Sequence, residues 1–409
     1  MIGRMQTRYG QSPWIAAAAR GARPVSARLR GELDVDVAIV GGGLTGVATA
    51  LACATAGLKS VVLEADTVGH GWTGHSGGLL LPDPGPLFLD VTRAHGLRAA
   101  KLVFSAWRRA TLDAASQLRR LGIRCGLEPR DSVLVAPGNE EKELLREYDA
   151  REAAGVSVAW MTRRQVTAVT PLDVPAAMRS RDAFVFNPYM ACVGVAKAAT
   201  QRGATIVERS AVKKVRPGRR HVEVLTGDGL VRARTVVVAT GRPTAEFRPL
   251  QRHFKSRETY LSLSAPMPAA MRKAVGDRTV TARDIAGTGR RVVWTGDGRL
   301  LVTGADQDEP PARLRADVLR QRTGQLMYEA LTMYPSISGL SVDFGWSTTY
   351  GATADGLMYI GAHRNYPRHL FAFGGPGDSA TGAFLAARVL VRALQDAPEK
   401  SDAAFGWTR

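Results

Sequence analysis

Three glycines and one carboxylate carry the clearest chemistry in this 409-residue chain. Gly41, Gly43 and Gly46 stand as G-x-G-x-x-G, and Glu64 follows about twenty residues on. The first glycine lets the chain turn sharply. The second lets backbone approach a pyrophosphate, and the third lets a helix pack close to a strand. Free amides at the start of that helix favour an anion. A carboxylate at Glu64 would accept hydrogen bonds from a ribose. Together these residues predict a dinucleotide site.

Such a site needs a strand, a turn, a helix and a second strand. Val37–Val40 is an apolar run too short for a helix, which reads as a buried parallel strand. Leu44–Ala56 is Ala/Leu-rich and helical, with Gly57 as a left-handed cap. Ser60–Leu63 is a second strand that delivers Glu64. Leu44, Thr45 and Ala65 flank the expected phosphate and ribose positions.

The length suits two domains or one large interleaved unit. With 45% hydrophobic residues, the chain can bury a large core. It holds no run of about 18 apolar residues that would span a membrane. Cys53, Cys125 and Cys192 lack ligand spacing and suit a reducing, cytoplasmic setting. The formal net charge of +18 favours anionic partners. The arginines are scattered, however, so a dispersed solvated surface is expected, with no specific nucleic-acid partner.

Further along, residues 1–31 read as an Arg-rich arm whose Trp14 and Ile15 would gain from burial. Gly69–Gly78 holds five glycines in ten residues, so backbone must lie close to something there. Leu97–Leu121 is an amphipathic helix ended by Gly122. Asn139 is expected to cap a helix through Ala154. Ala183–Phe186 reads as a short strand, Met190–Arg202 as a helix, and Ala204–Glu208 as a strand. A hairpin turns at Gly227–Gly229, and Thr235–Ala239 is a strand. Residues 251–350 read mostly as β, with a helix over Ala312–Met333. His369–Phe373 is a strand, and Asp378–Leu394 a helix with Asp378 as its N-cap.

Residues 69–78, with their glycines and Trp72, Thr73, His75 and Ser76, resemble a flavin-flanking loop. The loop is that of the D-amino-acid-oxidase-like (DAO) superfamily of FAD-dependent amine oxidoreductases. Tyr9, Ser12, Pro13 and Trp14 are similar to the aromatic arm of its γ-glutamylputrescine-oxidase branch. The run V-V-V-A-T-G ending at Gly241 is similar to the family's second fingerprint, and Thr353, Asp355, Gly356 and Gly361 match its return strand. The resemblance covers about Asp34–Leu394. It implies an α/β Rossmann-like FAD domain interleaved with an antiparallel substrate sheet. The FAD part would be 34–90, 190–250 and 351–397, and the substrate part 91–189 and 251–350. Residues 1–33 would be the arm and 398–409 a tail.

The resemblance places noncovalent FAD against Gly41–Gly46, Glu64, Ala65, Gly71–Thr73, His75–Gly78, Val212 and Ala239–Gly241. It adds Gly375, Pro376, Gly377, Asp378, Ser379, Ala380 and Thr381 beside the flavin pyrimidine ring. A histidine of the dimethylglycine-dehydrogenase branch bonds the flavin covalently, and His75 is similarly placed. The family oxidises amines by hydride transfer to flavin, hydrolyses the imine, and passes electrons to oxygen or another acceptor. Trp346, Tyr350, Tyr260 and Lys255 are the candidates for the substrate side, though each also suits sheet packing or surface. Tyr350 occupies the position where amino-acid oxidases carry a carboxylate-clamping Arg. Two other readings stay open: an FAD oxidase on modified tRNA, and a flavin-binding protein without turnover. No metal-ligand spacing is present.

Overall fold

The computed structural model describes residues 6–18, 26–170, 172–275, 279–285, 290–375 and 379–409. Two sheets organise them. In the first, the strand order is Tyr359–Ala362, His369–Phe373, Gly229–Gly241, Gly31–Val40, Ser60–Leu63 and Thr205–Val207. All its neighbours are parallel except the Tyr359–Ala362 edge. A hairpin of Lys214–Pro217 and Val222–Leu225 extends from Gly229–Gly241.

A parallel sheet must be covered on both faces, and side chains alternate between those faces. Val37 and Ile39 pack with helices Leu44–Thr55, Leu97–Arg120, Pro188–Gln201 and Thr381–Leu394. Ala38 and Val40 pack with Val222, Val224, Phe247 and Phe371 on the other side. The expected strand–helix–strand unit is present, and Gly57 is left-handed at φ +75°.

The second sheet is mostly antiparallel. Its order is Arg8–Tyr9, Val342–Ala352, Lys255–Ser264, Leu300–Asp308, Arg291–Trp294, Val280–Asp284, Glu128–Ala136, Ala176–Val185 and Leu79–Leu80. Ala159–Thr162 also pairs with Ala176–Val185. Helix Arg315–Met333 covers one face through Leu326, Met327 and Ala330. The chain passes between the sheets repeatedly, so the expected mixed architecture of a Rossmann-like parallel sheet and an interleaved antiparallel sheet is present. Among the described residues, no helix is long and apolar enough to cross a membrane, and no cluster could hold a metal ion.

Several boundaries differ from expectation. Asn139 is not an N-cap: the helix is Glu141–Ala153, and Glu140 precedes it with no side-chain cap. Glu140 instead accepts from the Gly138 amide. Ala183–Val185 closes a ten-residue strand, and Phe186 follows it. The helix expected from Met190 starts at Pro188, with Asn187 accepting from the Met190 amide at 3.0 Å. The last long helix begins at Thr381 after Ala380, and Asp378 lies outside the described residues.

Candidate active site

The C-terminal ends of the parallel strands open into a cavity of about 870 Å³, whose far wall comes from Lys255–Ser264 and Val342–Ala352. This is the place where an open parallel sheet binds its ligand. The glycines divide by what a Cβ would meet. At Gly46 it would lie 1.9 Å from Gly41 O, so this glycine serves close helix–strand contact. Gly41 sits at φ +106°, with its Cβ position 2.8 Å from Ala239 O. Gly43 lines the cavity and would meet only Thr73 Oγ1, at 3.2 Å. Gly71 and Gly241 also line it, with nothing within 4 Å of their Cβ positions. Gly74 and Gly78 are needed for packing, each 2.5 Å from a carbonyl.

Glu64 lines the same end. It accepts from the Gly42 amide at 2.6 Å and the Asp66 amide at 2.9 Å. Burial pushes its carboxyl above the usual range, and the two amides oppose this. Thr73 Oγ1 accepts from the Leu44 amide at 2.9 Å, which ties the glycine-rich loop to the helix start. The loop is clamped from outside by the arm: Trp14 Nε1 donates to Ser76 O at 2.8 Å, and Ser12 Oγ donates to Gly74 O. His75 Nδ1 donates to Gly71 O at 3.0 Å, the only role a carbonyl partner allows. Trp72, also on the wall, has its buried Nε1 without a partner among the described residues.

Gly41, Gly43, Leu44, Thr45, Glu64, Ala65, Gly71, Trp72, Thr73, His75, Val212, Ala239, Thr240, Gly241, Gly375 and Ser379 are thus brought together. Gly46, Ser76, Gly77, Gly78, Ala380 and Thr381 lie behind the wall. Thr381 Oγ1 instead bonds Leu81 O and accepts from the Leu81 amide. Pro376, Gly377 and Asp378 fall outside the described residues.

Of the four substrate-side candidates, only Tyr350 reaches the wall, where its hydroxyl donates to Asp306 Oδ2 at 2.5 Å. Trp346 is fully buried, and its Nε1 donates to His75 O at 2.9 Å. Tyr260 is sealed beneath helix Arg315–Met333, and burial raises its pKa far above the usual range. Lys255 is exposed at its strand's start and is not on the wall. Position along the strand decides this: Trp346 and Tyr350 share a face, as do Tyr260 and Glu258, and what packs over each end sets which of them reaches the cavity.

Sequence reasoning missed Glu258, Ser347, Thr348, Thr349, Arg242, Arg315 and Met358, which all line the cavity. A charged Glu258 just before an apolar strand was the available signal. Arg242 and Arg315 share Glu309, at 3.3 and 2.5 Å, and Ser256 Oγ donates to it at 2.7 Å. The Ser256 bond, against the cost of burial and with both arginines, holds the Glu309 carboxyl below its usual range.

Comparison with known proteins agrees with this geometry. The DAO family model, described as FAD dependent oxidoreductase, matches residues 36–393. Gamma-glutamylputrescine oxidoreductase of Escherichia coli is 24% identical over 405 residues, covering 96% of this chain and 91% of that protein. Glycine oxidase of Geobacillus kaustophilus is 27% identical over 343 residues, covering 80% and 84%. The crystal structure of glycine oxidase from Geobacillus kaustophilus superposes with a TM-score of 0.74 at 21% identity, covering 92% of this chain and 99% of that one. The glycine turn, Glu64 and the strands of the far wall all lie inside the matched span, and the chain belongs to the DAO family of FAD-dependent oxidoreductases.

Proposed function

We propose that the cavity holds FAD noncovalently and that the protein oxidises a C–N bond of a primary or secondary amine or amino-acid-like molecule. The observation that carries this is the continuity of the cavity, from Gly41, Gly43 and Glu64 at one end to Tyr350 and Glu258 at the other. When bound, FAD supplies the hydride acceptor. Gly43 and the amides opening helix Leu44–Thr55 would hold its phosphates, and Glu64 its ribose. Gly71, Trp72, Thr73 and His75 would flank it, with the unpartnered Trp72 Nε1 free to donate. Residues 34–90, 190–250 and 351–397 make up the cofactor part, and 91–189 with 251–350 the substrate part. Oxygen or another acceptor takes up the electrons.

Tyr350 bonds Asp306 where a carboxylate clamp would stand, which favours amines over α-amino acids. The relatives named above carry small-molecule names, which favours turnover over a silent binder and small amines over modified tRNA. Anaerobic mixing with an amine library tests the reading: at least one amine should bleach the yellow protein. If none does, the amine reading fails. Acid precipitation should leave free yellow FAD in the supernatant; a fluorescent protein band abolished by His75→Ala would instead show a covalent link.

A further inference from the structure

Glu258 is 6% exposed yet lines the cavity. Among the described residues its carboxylate has two hydrogen-bond donors, both neutral: Ser347 Oγ at 2.5 Å and Tyr260 OH at 3.2 Å. No lysine or arginine among the described residues pairs with it. Arg257, next to it, goes to Asp308 and the Asp306 carbonyl. Arg322 goes to Gln307 at 2.6 Å and to Gln325. Gln307 Nε2 in turn donates to Tyr260 OH at 2.9 Å, which leaves that hydroxyl's hydrogen for Glu258. The carboxylate is therefore held by two neutral hydroxyls and, among the described residues, has no counter-charge.

A buried charge is costly unless it is paired. We propose that a protonated nitrogen of the substrate is the missing partner of Glu258, and that the substrate is an amine with a second basic nitrogen. The inference rests on the amine-oxidising reading above. An ammonium held by a buried carboxylate keeps its proton, whereas a C–N bond is oxidised from the neutral amine. The nitrogen at Glu258 is therefore the one recognised, and another nitrogen reacts. Neighbouring groups agree. Tyr350 is engaged by an acid, Asp306, and the two wall arginines, Arg242 and Arg315, are both engaged by Glu309.

The test uses the purified FAD-loaded protein and α,ω-diamines of three to five carbons. Each diamine is compared in binding with the diol of the same length, which has no nitrogen for Glu258, and in flavin bleaching with the amino alcohol, whose one nitrogen Glu258 would hold. Dissociation constants are measured anaerobically by calorimetry. At least one diamine should bind about tenfold or more tighter than its diol, as a charge-assisted hydrogen bond provides, and should bleach the flavin where its amino alcohol does not. Glu258→Gln, matched in shape, should remove that preference while keeping FAD content and melting temperature. Glu258→Asp should retain part of it. A wild-type protein without the preference overturns the proposal, as does a preference unchanged in Glu258→Gln. If the Gln variant fails to fold, the wild-type series alone decides. Binding is read separately from bleaching: a preference without any oxidation would count against amine oxidation and for Glu258 as the cation receptor.

Discussion

Gly46 and Gly43 belong to one glycine turn but answer to different neighbours. A methyl at Gly46 would sit 1.9 Å from Gly41 O, a backbone atom that cannot step aside. Gly46→Ala should therefore destabilise the fold by roughly 3 kcal/mol or more, since forced overpacking typically costs 1–3. A methyl at Gly43 would meet only the Thr73 hydroxyl at 3.2 Å, and Gly43 is at φ −72°, open to any residue. Gly43→Ala should leave urea unfolding of the FAD-free protein within about 1 kcal/mol of wild type. Gly43→Asp should do the same to the fold but lose FAD, because it adds a negative charge beside the phosphate site. Full FAD occupancy in Gly43→Asp would refute the placement of the pyrophosphate.

At the scale of elements, two terminal segments brace the cavity from outside. The arm holds the glycine-rich loop through Trp14 Nε1 and Ser76 O. Trp14→Phe removes one hydrogen bond of about 1 kcal/mol. FAD should be released several-fold faster from this variant, as followed by flavin fluorescence. An unchanged release rate would mean that the arm does not support the loop. At the other end, Arg409 donates to both Asp355 oxygens, at 2.7 and 3.0 Å, and to the Leu357 and Met358 carbonyls. Burial opposes ionisation of Asp355, but Arg409, the Leu357 amide and His95 outweigh it and hold its pKa at about 2. A carboxyl depressed in the folded state stabilises above its unfolded pKa of ~3.9, and that stability is lost as pH falls through about 2. Asp355→Asn should therefore cost about 2 kcal/mol at neutral pH, by linkage. The gap to wild type in urea unfolding should close between about pH 4 and 2. A gap independent of pH would reject this origin.

Across the whole molecule, the +18 charge is broken up locally. Arg163 pairs with Asp173, Arg232 with Glu32, Arg299 with Asp343 and Arg392 with Asp402. Lys214, Arg216, Arg219 and Arg220 stay exposed on one hairpin, enough for loose attraction to phosphates. Binding to duplex DNA or tRNA should weaken about a hundredfold or more between ~50 and ~200 mM salt. Tight, sequence-selective tRNA binding at ~0.2 M salt would contradict this and revive a tRNA substrate.

The sequence alone determined the dinucleotide half. Its signals are local: Val37–Val40, the glycine turn and Ser60–Leu63 lie within about thirty residues, and each places the next by chain geometry. That the run ending at Gly241 and the loop holding Gly71, Trp72, Thr73 and His75 belong to one site was expected from resemblance, and they line one cavity. The substrate wall was not legible in the sequence. Glu258 and Ser347 are 89 residues apart and meet only through strand pairing. Tyr260 lies in the core and Glu258 on the cavity, although they share a face two residues apart on one strand. The helix Arg315–Met333 roofs one and leaves the other reachable. Alternation could be read from the chain; which end of a strand a distant helix would cover could not. Long-range packing set that, and with it which charged groups line the cavity.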